Sequence, residues 1–214
     1  MSKTKIITKC VTENDGCIHQ GDILSNVDYI EYANIVDGNI EISKITFPKV
    51  IVLTQECDSV QYYNNRNRNY SIIEGKEQGE IKTNQFLLSV IVAPLYNFTD
   101  VIEGNHLSEI KIIKDNIMTN TSLIFDHIGS KEKKKIVSNS VDRYHYLKLE
   151  INGKYLDYVI DFKHYFTVDT EKIIQHKKNG NYFASLDILF REAVSQRFSN
   201  FLSRIGLPET EIEE

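Results

Sequence analysis

No apolar run in this 214-residue chain approaches the roughly 20 residues needed to cross a bilayer. The opening Met1-Ser-Lys-Thr-Lys-Ile-Ile-Thr-Lys-Cys10 lacks the pattern of a signal peptide, so a soluble cytoplasmic protein without membrane contact is expected. Cysteine is scarce as well. Three of them, an odd number, argue against a disulfide scaffold and for a reducing compartment. Also missing are a Gly-rich phosphate loop, an H-E-x-x-H pair, a G-x-S-x-G elbow and a kinase signature, which disfavours ATP-driven and metalloprotease chemistry. Cys10, Cys17 and His19 form a C-x6-C-x-H pattern that is no zinc spacing and lacks a fourth ligand, so no metal and no cofactor are implied.

What is present fits a globular chain: 41% hydrophobic, 26% charged and 10% aromatic residues. The formal charge of −5 speaks against a whole-surface affinity for nucleic acid. Its distribution is uneven. Residues 1–130 hold 11 Lys+Arg against 17 Asp+Glu, residues 131–208 hold 14 against 9, and the tail 209–214 adds four glutamates. A basic back half thus lies between an acidic front and an acidic tail, leaving room for local contact with a polyanion.

The front half reads as strand. Gly21-Asp-Ile-Leu24 follows the turn-like Asn14-Asp-Gly16, and Asp37-Gly38 joins Val27–Val36 to Ile40–Ile45 as a hairpin. Pro48 marks a break before Lys49-Val-Ile-Val-Leu-Thr54, a β-branched run expected to be buried on both faces. Phe86–Ala93 reads as a second such strand, stopped by Pro94, and Ser122–Phe125 as another. Leu107–Ile113 fits either helix or strand, and Lys131–Lys135 reads as a solvated loop. Tyr144–Glu150 and Tyr155–Phe162 flank Asn152-Gly153, whose two residues suit the positive φ angles of a type I′ turn. A two-residue hairpin there sets residue 145 opposite residue 160, and so draws Arg143 and Asp161 together at the open end. A helix over 185–206 closes the chain. Ser185 is its cap, Phe190, Val194, Phe198, Phe201 and Ile205 its apolar stripe, and Gly206 with Pro208 its stop. The expected fold is mainly β (α+β): one decorated domain over 1–208, with its core over about 20–165, then the acidic tail.

The segment Thr54-Gln-Glu-Cys-Asp-Ser59 sets six polar or reactive side chains directly after a dry strand, where a rigid scaffold presents functional groups. Asp58 and Thr54 are candidate site residues, and Gln55 a candidate ligand contact. Cys57 is a weaker candidate, because the adjacent carboxylate raises a thiol's pKa unless a cation compensates. Arg143, paired with Asp161, is a candidate orienting group for phosphoryl chemistry or a structural ion pair. His145 and His164 are candidate acids or bases. Gln61–Tyr70 interleaves Tyr62 and Tyr63 with Arg66 and Arg68, supplying stacking faces and phosphate partners for single-stranded RNA or a nucleotide. The plainer reading is an Asn-rich surface loop.

Gly21-Asp22-Ile23, Gly38, Glu41, and Pro48 before Val50–Thr54 together resemble the opening half of the MazF/PemK-like toxins, over about residues 21–54. The resemblance implies an SH3-like β-barrel and metal-independent RNA cleavage in a toxin–antitoxin or phage-defence setting, with Thr54 carried over as a site residue. Phe47 stands where that family's motif has Arg before Pro, so cleavage would need Arg143 or Arg66 as a substitute. Thr54–Asp58 together with Phe198–Pro208 also resembles a group of bacterial proteins without an assigned activity. The alternative to an RNA-directed enzyme is a non-catalytic module that uses its Phe-rich helix to bind a protein partner or a second copy of itself.

Overall fold

The computed structural model describes residues 6–70, 83–108, 112–113 and 126–204. In chain order they form β1 (Thr8–Val11), β2 (Asp22–Val36), β3 (Asn39–Val52), α1 (Glu56–Tyr70), β4 (Ser89–Asn97), α2 (Phe98–Glu103), β5 (Ile112–Ile113), α3 (Ser130–Val137), β6 (Tyr144–Ile151), β7 (Lys154–Asp161), β8 (Phe166–Asp169), α4 (Thr170–His176), β9 (Tyr182–Leu186) and α5 (Ile188–Leu202). The fold is α+β, on one sheet of order β5-β3-β2-β9-β1-β6-β7-β4-β8. The pairs are antiparallel except β1 with β6. β3 also pairs with β4 through Val50–Val52, so the pairings run from β3 through β2, β9, β1, β6, β7 and β4 back to β3. No helix among the described residues is long and apolar enough to cross a membrane.

Both two-residue turns form as their sequences demand. Asp37 and Gly38 take φ of 50° and 79°, Asn152 and Gly153 50° and 74°, the left-handed geometry of a type I′ hairpin. His145 does pair with Ile160. The apolar runs are continuous because successive residues feed opposite cores. Leu24, Val50, Val52, Val92 and Val159 face Tyr62, Phe98, Ile136, Ile173 and Ile174 from the helices. Their neighbours Ile23, Ile51, Ala93 and Ile160 face Val194 and Phe198 of α5. On α5, Phe198 and Phe201 pack at a tilt against the fully buried Phe162, at 5.5 and 6.0 Å between ring centroids.

Several expectations need correction. Pro48 does not break the sheet: it lies inside β3, between Phe47 paired with Val27 and Lys49 paired with Ser25. Asn26, between the partners of those two residues, takes φ 56°, a local irregularity of β2 of the kind at which a sheet tolerates proline. Pro94 likewise sits within β4, opposite Val50. Gln61–Tyr70 is not a loop but most of α1, and Lys131–Lys135 lies in α3, anchored by buried Ile136. Ser185 does not cap α5. It belongs to β9, which runs on to put Leu186 in the core, so Asp187 takes the cap position. Ser122–Phe125, Ile205, Gly206, Pro208 and the acidic tail lie outside the described residues.

Candidate active site at the β6–β7 end

The register of β6 and β7 pairs Tyr144 with Asp161, which leaves Arg143 just past the strand end. Its carbonyl oxygen accepts the Phe162 N–H at 3.0 Å, fixing the backbone of both segments. The guanidinium then grips the carboxylate with both edges: Nε donates to Oδ1 at 2.9 Å and Nη2 to Oδ2 at 2.6 Å. Asp161 is wholly buried, whereas the Arg143 side chain is 30% exposed. Oδ1 also accepts the Lys163 N–H at 3.0 Å, and Oδ2 lies 3.5 Å from His164 Nδ1. That imidazole nitrogen is 3.0 Å from the hydroxyl of Tyr96, at the end of β4. His106 packs edge-on to Tyr96 at 4.8 Å, and Arg143 lies over the Tyr144 ring at 4.8 Å.

Burial sets the protonation of this cluster. It pushes His164 below its ordinary value; Asp161 works against that shift and Arg143 reinforces it. His106 is lowered chiefly by burial too, and burial with the charge of Asp161 raises the Tyr96 phenol far above its usual range. At neutral pH the site therefore holds two neutral imidazoles, a neutral phenol and a charged guanidinium. A His164 tautomer with its proton on Nδ1 faces both Tyr96 and Asp161, and leaves Nε2 as a proton acceptor.

The remaining candidates lie elsewhere. Thr54 is buried, and its Oγ1 accepts the Ile91 N–H at 2.6 Å, so it closes the backbone between β3 and β4. Gln55, Cys57 and Asp58 are exposed at the start of α1, with Cys57 Sγ 3.7 Å from both Gln55 Oε1 and Asp58 Oδ1. Among the described residues no hydrogen bond or ion pair joins them to Arg143. His145 is buried beside Phe162, and burial with the nearby Arg197 charge drives it down to about 3. Tyr62 presents no stacking face: it is buried, donates its hydroxyl to Glu171 and meets Phe86 edge-on, while Arg66 pairs with Glu171 at 2.5 Å. These contacts pin α1 to α4. Tyr63 is half-buried, and the side chain of Arg68 lies outside the described set.

The residue that sequence reasoning passed over in the strand-end segment is Glu56. Its Oε1 lies 2.5 Å from His19 Nδ1 and 3.4 Å from Arg191 Nη1, and its Oε2 accepts the Gln20 N–H at 2.8 Å. The other His19 nitrogen meets Asp15 at 2.7 Å. Held between two carboxylates, His19 rises to about 9, led by its hydrogen bond to Glu56. The cysteines of the C-x6-C-x-H pattern turn to backbone carbonyls, Cys10 to Thr8 and Cys17 to Ile18, and burial raises both thiols to about 11. Tyr96 and His106 also went unread, though an aromatic hydroxyl at the end of a buried strand was the available signal for Tyr96.

No family model, no curated protein and no solved structure matches this chain.

Proposed function

We propose that the chain acts on RNA at the Arg143–Asp161–His164–Tyr96 site, cleaving the phosphodiester backbone by general acid–base chemistry. One observation carries the reading. Asp161 occupies two of the five N–H donors of a part-exposed guanidinium, leaving three for a phosphate beside a neutral imidazole. In this scheme His164 takes the proton of a ribose 2′-hydroxyl, whose oxygen attacks the adjacent phosphorus. The P–O2′ bond forms as the P–O5′ bond breaks, and the 5′-oxygen leaves as a hydroxyl with the proton that the imidazolium returns through water. Arg143 stabilises the charge that develops on the phosphoryl oxygens, and Tyr96 orients the imidazole. The ring of strand pairings, which an SH3-like or MazF-like barrel would also have, and the basic stretch 131–208 support the same reading. It carries with it the cytoplasmic, toxin-like or defence setting that the resemblance implies.

The test is incubation of end-labelled single-stranded RNA with the wild type, His164→Gln and Arg143→Lys. Wild-type protein should yield fragments ending in a cyclic phosphate, and His164→Gln should slow cleavage about 100-fold or more, the scale of a lost general base. RNA left intact and unretarded by excess wild-type protein would end this reading. A second reading, a protein-interaction module, rests on Ile188, Leu189 and Leu202, which are 66, 73 and 52% exposed on α5. Light scattering of Leu189→Glu against wild type separates the two, because only an interaction surface would change its oligomeric state.

A further inference from the structure

Lys177, in the turn that follows α4, is 1% exposed, and it lies against Asp22, which is 0% exposed at the start of β2. Its Nζ is 2.9 Å from Asp22 Oδ2 and donates as well to the carbonyl oxygen of Cys17. Asp15 Oδ1 stands 3.5 Å from the same nitrogen, and the Tyr182 ring flanks it at 4.6 Å. Asp22 Oδ2 also accepts the His19 N–H at 2.9 Å, whereas its Oδ1 is buried with no hydrogen-bond partner among the described residues.

A lysine amine and a carboxyl group held in contact away from water are the two reactants of amide formation. In bulk solvent, solvation of both charges and the abundance of water oppose that condensation. Burial weakens both obstacles, and fixed contact supplies the proximity that a bimolecular reaction lacks. An orphaned carboxylate oxygen adds a specific incentive, since the pair as it stands leaves one buried acceptor unsatisfied.

We propose that Lys177 and Asp22 condense into an intramolecular isopeptide bond, with Asp15 relaying protons. The Asp15 carboxylate takes a proton from the ammonium, and the freed lone pair on Nζ attacks Cγ of Asp22. The Nζ–Cγ bond forms and one Cγ–O bond breaks. That oxygen leaves as water, carrying the two protons the nitrogen gives up, so no oxidant or co-reactant is needed. The remaining amide N–H keeps the Cys17 carbonyl as its acceptor, and two buried charges disappear. The bond would tie the start of β2 to a segment 155 residues away. None of these residues belongs to the Arg143 site, so the inference stands apart from the RNA reading.

Intact mass spectrometry of the purified, denatured wild type is the direct test. The chain should weigh one water less than its sequence requires, and a proteolytic digest should contain one branched peptide joining Asp22 to Lys177. Lys177→Arg should show the full mass. Asp22→Asn should instead lose one ammonia, because the same attack then expels nitrogen. Asp15→Ala should slow the appearance of the lighter species at least tenfold in freshly made protein. A wild-type chain of full mass, or a water loss mapping to other residues, would overturn the proposal without recourse to any variant.

Discussion

His19 gives the most direct access to the electrostatics of this fold, because one variant and a change of pH isolate its contribution. Its pKa is raised from 6.5 to about 9 by Glu56 and Asp15. A raised folded value means that protonation favours the folded state. The stabilisation is therefore complete below pH 6.5 and is lost as pH climbs through about 9. The partners set the opposite edge. Burial works to raise Glu56 and Asp15, but their hydrogen bonds to His19 and to backbone N–H groups outweigh it and leave both carboxyls below their ordinary values. Their contribution is present above 4.5 and 3.8 and fades on acidification, so the cluster stabilises most between about pH 4.5 and 6.5. Before screening, the interval from 6.5 to about 9 is worth about 3.5 kcal/mol at 1.4 kcal/mol per pH unit. The His19 side chain is 21% exposed and that of Asp15 58%, so solvent screening reduces the figure to about 1–2 kcal/mol. The assay is urea unfolding of the wild type and His19→Gln at pH 6, 7.5 and 9.5. The wild type should lead the variant by about 1–2 kcal/mol at pH 6, and the gap should close at pH 9.5. A gap that stays constant across that range would show that His19 is not charged in the folded state and would refute the reasoning.

Arg143→Ala should cost about 3 kcal/mol in urea unfolding, the lower end for abandoning a buried carboxylate, since the Lys163 N–H still reaches Asp161; a loss under 1 kcal/mol would mean that water enters the site freely. Gly21→Ala should destabilise by about 1–3 kcal/mol, because Gly21 sits at φ +81° and an added Cβ would meet Arg191 Cγ at 2.9 Å and Leu186 Cβ at 3.2 Å. An unchanged denaturation midpoint would show that Arg191 moves aside without consequence.

The parts of this fold legible in the sequence are those where local chemistry leaves one option. Asn152-Gly153 permits a single kind of turn, the turn sets the register, and the register alone delivers Arg143 to Asp161. The apolar stripe of α5 is legible because its buried face is aliphatic and aromatic. Helix α1 fails on the same criterion. Among its described side chains the buried positions are Ser59, Tyr62 and Asn65, spaced by three but mostly polar, so hydrophobic periodicity is silent although the helical spacing is present. Lys177 is hidden for a related reason. It stands in the polar run Gln175-His-Lys-Lys-Asn-Gly180, and only tertiary contact with Asp22 distinguishes it from exposed Lys178.

The two ionic clusters, though built from different strands, share one helix. Arg191 of α5 faces Glu56 and donates to the carbonyl oxygen of Leu186 and the hydroxyl of Ser185. Arg197 of the same helix donates to the carbonyl oxygens of Asn139, Val141 and Tyr144, the segment that carries Arg143. The six residue steps from one to the other span about 9 Å of a rigid rod, and Val194 and Phe198 key that rod into the core. Neither arginine is therefore a surface ornament. Each satisfies backbone or carboxylate groups at strand ends and in the loop that leads into β6. Hydrophobic contact is non-directional, so the apolar face alone specifies the setting of α5 less sharply than directional guanidinium contacts do. The two guanidinium groups add directional contacts to that apolar face, and one of them, at the Tyr144 carbonyl, braces the residue next to Arg143.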